Sequence, residues 1–146
     1  MNRPRTSRKS SEQGKAVTKQ EVIRYWVESP DMDSAAMESL FSNGHHVWAL
    51  FVGHLVVEKI IKALYVKRVG VEVPRSHNLL AIAERAGLEL DFGQKMLMDE
   101  ITGFNIRARY PDVKRRFLKK ANRAFTEERL TKIRELRIWL LEQIRS

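Results

Sequence analysis

The feature that most constrains the fold of this chain is an apolar pattern between His45 and Val69, where apolar side chains recur at helical spacing. They cover one broad face, which is the pattern of a helix packed inside a core. Gly70 follows the run and provides a stop. The members of this face are Val47, Leu50, Phe51, His54, Leu55, Val57, Ile61, Leu64 and Tyr65. The sequence therefore predicts a central helix around which the rest of the chain packs.

Segments on the N-terminal side carry start and stop signals for two further helices. Thr18 and Glu21 have the spacing of a capping box, which predicts the start of a short helix. Ser29 precedes a proline and is disfavoured in the helical region, whereas proline suits the first turn of a new helix. We therefore predict a break at Ser29 and a second helix from Pro30 to Ser42, ended by Asn43-Gly44.

The C-terminal side contains two helical segments and a basic segment between them. Asp91 is a suitable cap for a helix that Pro111 interrupts. Residues 112–125 are basic and form either a short helix or an ordered crossing. Thr126 is predicted to cap the last helix, since a periodic apolar stripe follows it. No useful stretch alternates between apolar and polar residues, so we predict an all-α fold, an antiparallel bundle of four or five helices.

The composition excludes several classes of protein. A chain of 146 residues supports one domain with a core. Without cysteine it has no disulfide, thiolate metal site or cysteine nucleophile, which agrees with a cytoplasmic location. The first residues lack the apolar segment of a secretory signal. The longest stretch without an acidic residue, lysine or arginine, Ser39 to Val57, contains three histidines and two glycines and is shorter than the roughly 20 apolar residues of a membrane span. We therefore expect a soluble protein with no membrane partner.

The positive charge is concentrated in two segments. The net charge is +9, of which residues 1–20 contribute +5 and residues 105–126 contribute +7, so the remaining chain is slightly acidic. Residues 1–17 have almost no apolar side chains and are predicted to be a disordered basic tail, which leaves 18–146 as the folded domain. The local excess of charge predicts an anionic partner, which is RNA, a nucleotide or an acidic protein surface.

The segment from Asn105 to Asp112 is the strongest candidate for binding. Arginine guanidinium groups form bidentate contacts with phosphate, a tyrosine ring stacks on a base, and proline fixes the backbone that presents them. The predicted nucleotide-binding residues are Asn105, Arg107, Arg109, Tyr110, Asp112, Lys114 and Arg115.

Two simpler interpretations stand beside this prediction. In the first, the segment is a structural ion-pair knot in which Arg107 or Arg109 pairs with an acid, and the acids considered are Glu58, Asp99 and Glu100. The second concerns the basic run that follows, which is interpreted as a solvent-exposed face and consists of Arg115, Arg116, Lys119 and Lys120. The sequence alone leaves the binding and structural interpretations of the two arginines open.

A second polar group lies on the central helix. His54, Glu58 and Lys62 are each four residues apart and therefore share one face. A functional interpretation makes Glu58 a base, or makes His54 and Glu58 half of a metal site. The spacing supplies no third metal ligand, so we predict a structural polar ladder in which Lys62 neutralises Glu58. His77 is expected to satisfy backbone groups in its own turn, and no catalytic, metal or cofactor site is predicted.

Taken in order along the chain, these segments resemble the HEPN family of prokaryotic helical domains over about residues 18–142. The features that carry the resemblance are Trp26, Asn43-Gly44 before Trp48-Ala49-Leu50-Phe51, Gly53 to Leu64, Pro74 to Leu79, Gly87 to Asp91, Phe104 to Asp112, and Phe125 to Glu128. The resemblance implies an antiparallel up-and-down four-helix bundle with short accessory helices. It also implies a homodimer and frequent pairing with a small nucleotidyltransferase encoded alongside.

One departure from the family bears on activity. The resemblance implies that active members are metal-independent ribonucleases in which an arginine is followed four to six residues later by a histidine. No histidine of this chain has an arginine at that distance, and the sequence instead carries Arg109-Tyr110-Pro111-Asp112. The loss of a general acid or base lowers a reaction rate by orders of magnitude. The four histidines are His45, His46, His54 and His77.

These observations lead to a functional hypothesis with two alternatives. The hypothesis is a non-catalytic, dimeric HEPN-domain protein that binds nucleotide or RNA as a partner subunit in a toxin–antitoxin or nucleotidyltransferase pair. The first alternative is a metal-independent ribonuclease that uses Arg107, Arg109, Tyr110 and Asp112 in place of the missing histidine. The second is a structural module whose basic segment docks on an acidic protein.

Overall fold

Six helices account for the regular structure of residues 16–146, the part of the chain that the computed structural model describes. They are α1 (Lys19–Ser42), α2 (His46–Arg68), α3 (Leu79–Arg85), α4 (Phe92–Arg109), α5 (Pro111–Lys120) and α6 (Arg123–Arg145). No strand occurs among these residues, which confirms the predicted all-α fold. None of the six helices has the length and apolar character needed to cross a membrane. Most of the predicted basic tail, residues 1–15, lies outside the described residues.

Short polar side chains start most of these helices. Thr18 and Asp91 cap α1 and α4 as predicted, and Thr18 Oγ1 accepts a hydrogen bond from the backbone N–H of Glu21 at 3.1 Å. The full capping box forms at Asp91, with Gln94, whereas it was predicted at Thr18. The predicted cap at Thr126 is wrong. Asn122 caps α6 instead, so the helix begins about one turn earlier and Thr126 is buried within it.

The predicted break at Ser29 is also wrong, because α1 runs through Pro30 without interruption. A proline inside a helix removes one backbone hydrogen bond and crowds the preceding turn. Here Lys59 of α2 spans the affected turn, since its Nζ donates to Ser29 Oγ at 2.8 Å and to Asp33 Oδ2 at 2.6 Å. Pro30 itself is buried. Contacts with α2 therefore outweigh the local preference for a break.

Ion pairs between α1 and α6 fix the relative direction of these two helices. Glu38 pairs with Arg134 at 2.7 Å, and Asp31, which precedes Glu38 in α1, pairs with Arg137, which follows Arg134 in α6. The order of partners is reversed, so the two helices are antiparallel. α2 returns antiparallel to α1 through a tight turn in which Gly44 has a φ of 81°.

α4 also runs antiparallel to α6. Glu100 pairs with Arg129 at 3.4 Å, whereas Gln94, earlier in α4, lines a groove with Trp139, later in α6. The four long helices therefore alternate in direction in the order α1, α2, α4, α6. This arrangement agrees with the predicted up-and-down four-helix bundle, in which α3 and α5 are the short accessory helices.

Three of the long helices meet at Gly53 of α2. A Cβ atom at this position would lie 2.8 Å from Ile133 Cδ1 of α6 and 3.3 Å from Met37 Sδ of α1. The absence of a side chain therefore allows α6 to pack on α2 across the diagonal of the bundle. This contact makes α2 the centre of the core, as its apolar pattern predicted.

A larger side chain at Gly53 should separate these helices. We expect Gly53→Val to lower the free energy of unfolding by about 2 kcal/mol, because the added atoms overpack a filled site. Gly53→Ala is the matched control and should stay within about 1 kcal/mol of wild type, since its contacts are with flexible side-chain ends and alanine favours the helix. Urea denaturation measures both. A Val variant as stable as wild type would contradict the close packing.

Candidate nucleic-acid interface

The basic segment changes direction at the junction of α4 and α5. α4 ends at Arg109 and Pro111 begins α5. Tyr110 between them has an extended backbone, with a φ of −88° and a ψ of 120°. Phe117 of α5 is buried and stacks on Phe104 of α4, with ring centroids 5.7 Å apart. Phe117 also packs against Phe125 of α6 in a T-shaped arrangement. Phe117 therefore fixes which face of α5 turns toward the bundle.

A cavity of ≈ 250 Å³ lies between the end of α4 and this inner face of α5. Its lining consists of three cationic and two apolar residues: Arg107, Arg116, Lys120, Val113 and Phe117. The other α5 members follow Val113 by three, four and seven positions, so they share one face of the helix. The cavity is smaller than the roughly 300–1,000 Å³ of typical small-molecule sites, and it suits a phosphate group better than a whole nucleotide.

The three cations of the cavity have no acidic partner among residues 16–146. Two of the three acids that the ion-pair interpretation named have other partners, since Glu100 pairs with Arg129 and Glu58 pairs with Lys62. The third, Asp99, forms no ion pair with the described part of the chain. Arg107 instead lies over the Phe117 ring, with its guanidinium carbon 5.7 Å from the ring centroid. Cations held together without a counter-charge create a local field that attracts an anion.

Of the seven predicted binding residues, the structure brings one, Arg107, into the cavity. Asn105 is buried, and its carbonyl oxygen accepts a hydrogen bond from Arg109 Nε at 3.2 Å. The residues with exposed side chains are Arg109, Tyr110, Asp112 and Arg115. One predicted residue therefore lines the cavity, four are exposed on the surface, and Asn105 is buried.

Two cavity residues, Arg116 and Lys120, were not predicted to bind because the sequence interpretation assigned them to a solvent-exposed face. Their spacing relative to Val113, three and seven positions, is the signal that places them on one face of α5. Lys114 lies on the side of α5 nearest α2, where its Nζ is 4.3 Å from the centroid of the Trp48 ring. That ring is 41% exposed, so an aromatic surface lies beside the basic segment.

The predicted polar ladder on α2 forms a buried cluster that includes a fourth residue. Glu58 and Lys62 are 5% and 6% exposed, and Lys62 Nζ donates to Glu58 Oε2 at 3.3 Å. The other carboxylate oxygen, Oε1, accepts a hydrogen bond from His77 Nδ1 at 2.7 Å. The ring of His77 thus contacts Glu58 rather than the backbone of its own turn. Local spacing gives no signal for this pair, because the two residues are 19 positions apart.

His54 joins the cluster through the backbone of the same turn. Its Nε2–H donates to the carbonyl oxygen of His77 at 3.0 Å. Nδ1 of His54 is then the unprotonated nitrogen, and it has no hydrogen-bond partner in the described part of the chain. Burial lowers the pKa of His54, which favours the neutral ring. Through its hydrogen bonds to His54 and Glu58, His77 holds the segment before α3 against α2.

Comparisons with known proteins agree with this architecture. The family profile described as HEPN domain matches residues 23–143. The crystal structure of TT1696 from Thermus thermophilus superposes with a TM-score of 0.71 and 19% sequence identity over 83% of this chain and 97% of that chain, which shows a shared fold. No curated protein matches the sequence. Because the profile match covers the four long helices and the basic segment, this chain belongs to the HEPN family.

Proposed function

We propose that this protein is a non-catalytic HEPN-domain protein that binds RNA or a nucleotide by its phosphate groups. The observation that carries the proposal is the cavity between α4 and α5, which is lined by Arg107, Arg116 and Lys120. Two guanidinium groups and one ammonium group face one small space. Phosphate oxygens are the acceptors that such donors bind in bidentate, charge-assisted hydrogen bonds.

The surroundings of the cavity favour an extended polyanion. Arg109 and Arg115 are exposed outside the cavity and enlarge the positive surface beyond a single phosphate. Val113 and Phe117 form the apolar side of the cavity, against which the sugar or base of a nucleotide could pack. RNA, which carries many phosphates in a row, would use both the cavity and the surface around it.

The chemistry of the cavity supports binding without cleavage. Its lining contains no histidine and no carboxylate, so it offers no side chain of the kind that usually moves a proton at neutral pH. Near the end of α5, the Nδ1–H of His46 donates to the carbonyl oxygen of Ala121 at 3.2 Å, and His46 does not line the cavity. The family resemblance adds that the usual arginine–histidine pair is absent from local sequence.

Titration of a fluorescently labelled RNA with the protein tests the proposal. We expect saturable binding by fluorescence anisotropy that weakens steeply between about 50 and 200 mM salt, because phosphate contacts release condensed counterions. A nucleoside triphosphate added as competitor shows whether a free nucleotide occupies the same cavity. Absence of RNA binding at low salt, together with absence of nucleotide binding, would overturn the proposal.

We propose in addition that the protein acts as a homodimer. Large apolar side chains outside the cavity are exposed on and beside α4 and α5, and they are Trp48, Ile106, Tyr110 and Leu118. A second copy would cover such a surface. Light scattering should give twice the chain mass of 17.1 kDa, and a strictly monomeric mass would contradict the dimer. The partner proposed from the family is a small nucleotidyltransferase, which co-purification with mass spectrometry would identify.

A further inference from the structure

His77 differs from the other three histidines in combining a carboxylate partner with an exposed ring. Its side chain is 55% exposed, and its Nδ1 lies 2.7 Å from Glu58 Oε1. His54 is fully buried, His46 donates to a backbone carbonyl, and His45 is exposed at the start of α2 without a side-chain cap bond. His77 is therefore the one histidine in the described part of the chain that combines an exposed ring with a hydrogen bond from Nδ1 to a carboxylate.

The hydrogen bond to Glu58 determines the chemistry of the His77 ring. A carboxylate oxygen only accepts, so Nδ1 carries the proton and Nε2 carries the free lone pair. Nε2 has no hydrogen-bond partner among residues 16–146. The negative charge of Glu58 also stabilises the positive charge that the ring acquires when Nε2 forms a bond. These are the conditions under which an imidazole becomes a nucleophile.

The backbone around His77 is held so that the ring keeps this orientation. The carbonyl oxygen of His77 accepts from the buried His54 at 3.0 Å, and the next residue, Asn78, donates its N–H to Ser76 Oγ at 3.0 Å. Glu58 is itself fixed by Lys62. A nucleophile on a fixed backbone with a fixed acid partner loses little freedom on reaction.

We propose that His77 is a phosphoryl-acceptor site, in which Nε2 takes a phosphoryl group from a phosphoanhydride or phosphoramidate donor. The lone pair of Nε2 forms a bond to phosphorus while the bond from phosphorus to the leaving oxygen or nitrogen breaks and its electron pair leaves with that atom. The Nδ1 proton stays on the ring, between Nδ1 and Glu58 Oε1. No oxidation or reduction takes place. The site is separate from the cationic cavity and independent of the function proposed for it.

Incubation of the protein with phosphoramidate tests the proposal, because this small donor needs no binding pocket and releases ammonia. Intact mass and peptide mapping under alkaline conditions give the rate at each histidine. We expect His77 to be phosphorylated about tenfold faster than the exposed His45, a difference equal to the contribution of one charge-assisted hydrogen bond. His77→Ala should remove the fast phase, and His45→Ala should leave it unchanged.

A double variant separates activation by Glu58 from its structural role. Glu58→Gln/Lys62→Met keeps a hydrogen-bond acceptor for His77 and removes both buried charges, so the fold is preserved and is checked by circular dichroism. We expect the rate at His77 to fall to that of His45. A wild-type His77 that reacts no faster than His45, or a folded double variant that keeps the full rate, would overturn the proposal.

Discussion

Replacing Glu58 with alanine is expected to lower the free energy of unfolding by about 3 kcal/mol, because the ammonium group of Lys62 would stay buried without its partner. Lys62 is 6% exposed and packs with its Nζ 5.7 Å from the ring centroid of Trp26, so it has little access to water in the folded state. His77 would also lose its acceptor. Chemical denaturation of the purified variant measures the change.

Two further variants give this prediction its controls. Glu58→Ala/Lys62→Met removes the unpaired charge and should recover most of the lost stability, since an apolar side chain replaces the buried ammonium group. Asp33→Ala breaks the more exposed pair with Lys59 and should cost no more than about 1 kcal/mol. A Glu58→Ala variant as stable as wild type would show that the cluster does not hold the bundle together.

Removal of two arginines from the cavity should have the largest effect on binding. We expect Arg107→Ala/Arg116→Ala to weaken RNA affinity on the order of 100-fold at low salt, because each loses a charge-assisted phosphate contact. Arg109→Ala/Arg115→Ala removes the same charge from the exposed surface and should cost less than about tenfold. Fluorescence anisotropy compares the two. Equal losses would mean that binding follows overall charge and that the cavity has no special role.

The sequence predicted the elements whose signals are local and strong. The helix of α2, its end near Gly70 and the caps at Thr18 and Asp91 all follow from periodicity and short-range hydrogen bonds. The two errors in helix bounds, the break at Ser29 and the cap at Thr126, arose where contacts between helices outweigh local sequence preferences. In α1, Lys59 contacts residues on both sides of Pro30, and the helix continues. In α6, Asn122 caps the helix four residues before the predicted cap, and Thr126 is buried inside the helix.

The candidate sites were likewise predictable only where local sequence determines them, and not where contacts between distant segments form them. The basic segment and Arg107 were evident from charge, but its cavity depends on how Phe117 docks α5 on Phe104, which is a contact between helices. His77 was the residue least accessible to sequence reasoning. Its function as a partner of Glu58 requires the segment after α2 to fold back along that helix, and no local pattern encodes this return.

The most direct test of the central claim follows RNA binding and RNA integrity in the same sample. Wild-type protein, freed of contaminating nucleases, is mixed with labelled RNA at equimolar ratio, and anisotropy is read before the RNA is resolved on a denaturing gel over a time course. The account predicts a bound and intact RNA, with binding lost in Arg107→Ala/Arg116→Ala. Cleavage by the wild type that disappears in the same variant would contradict it and establish a ribonuclease.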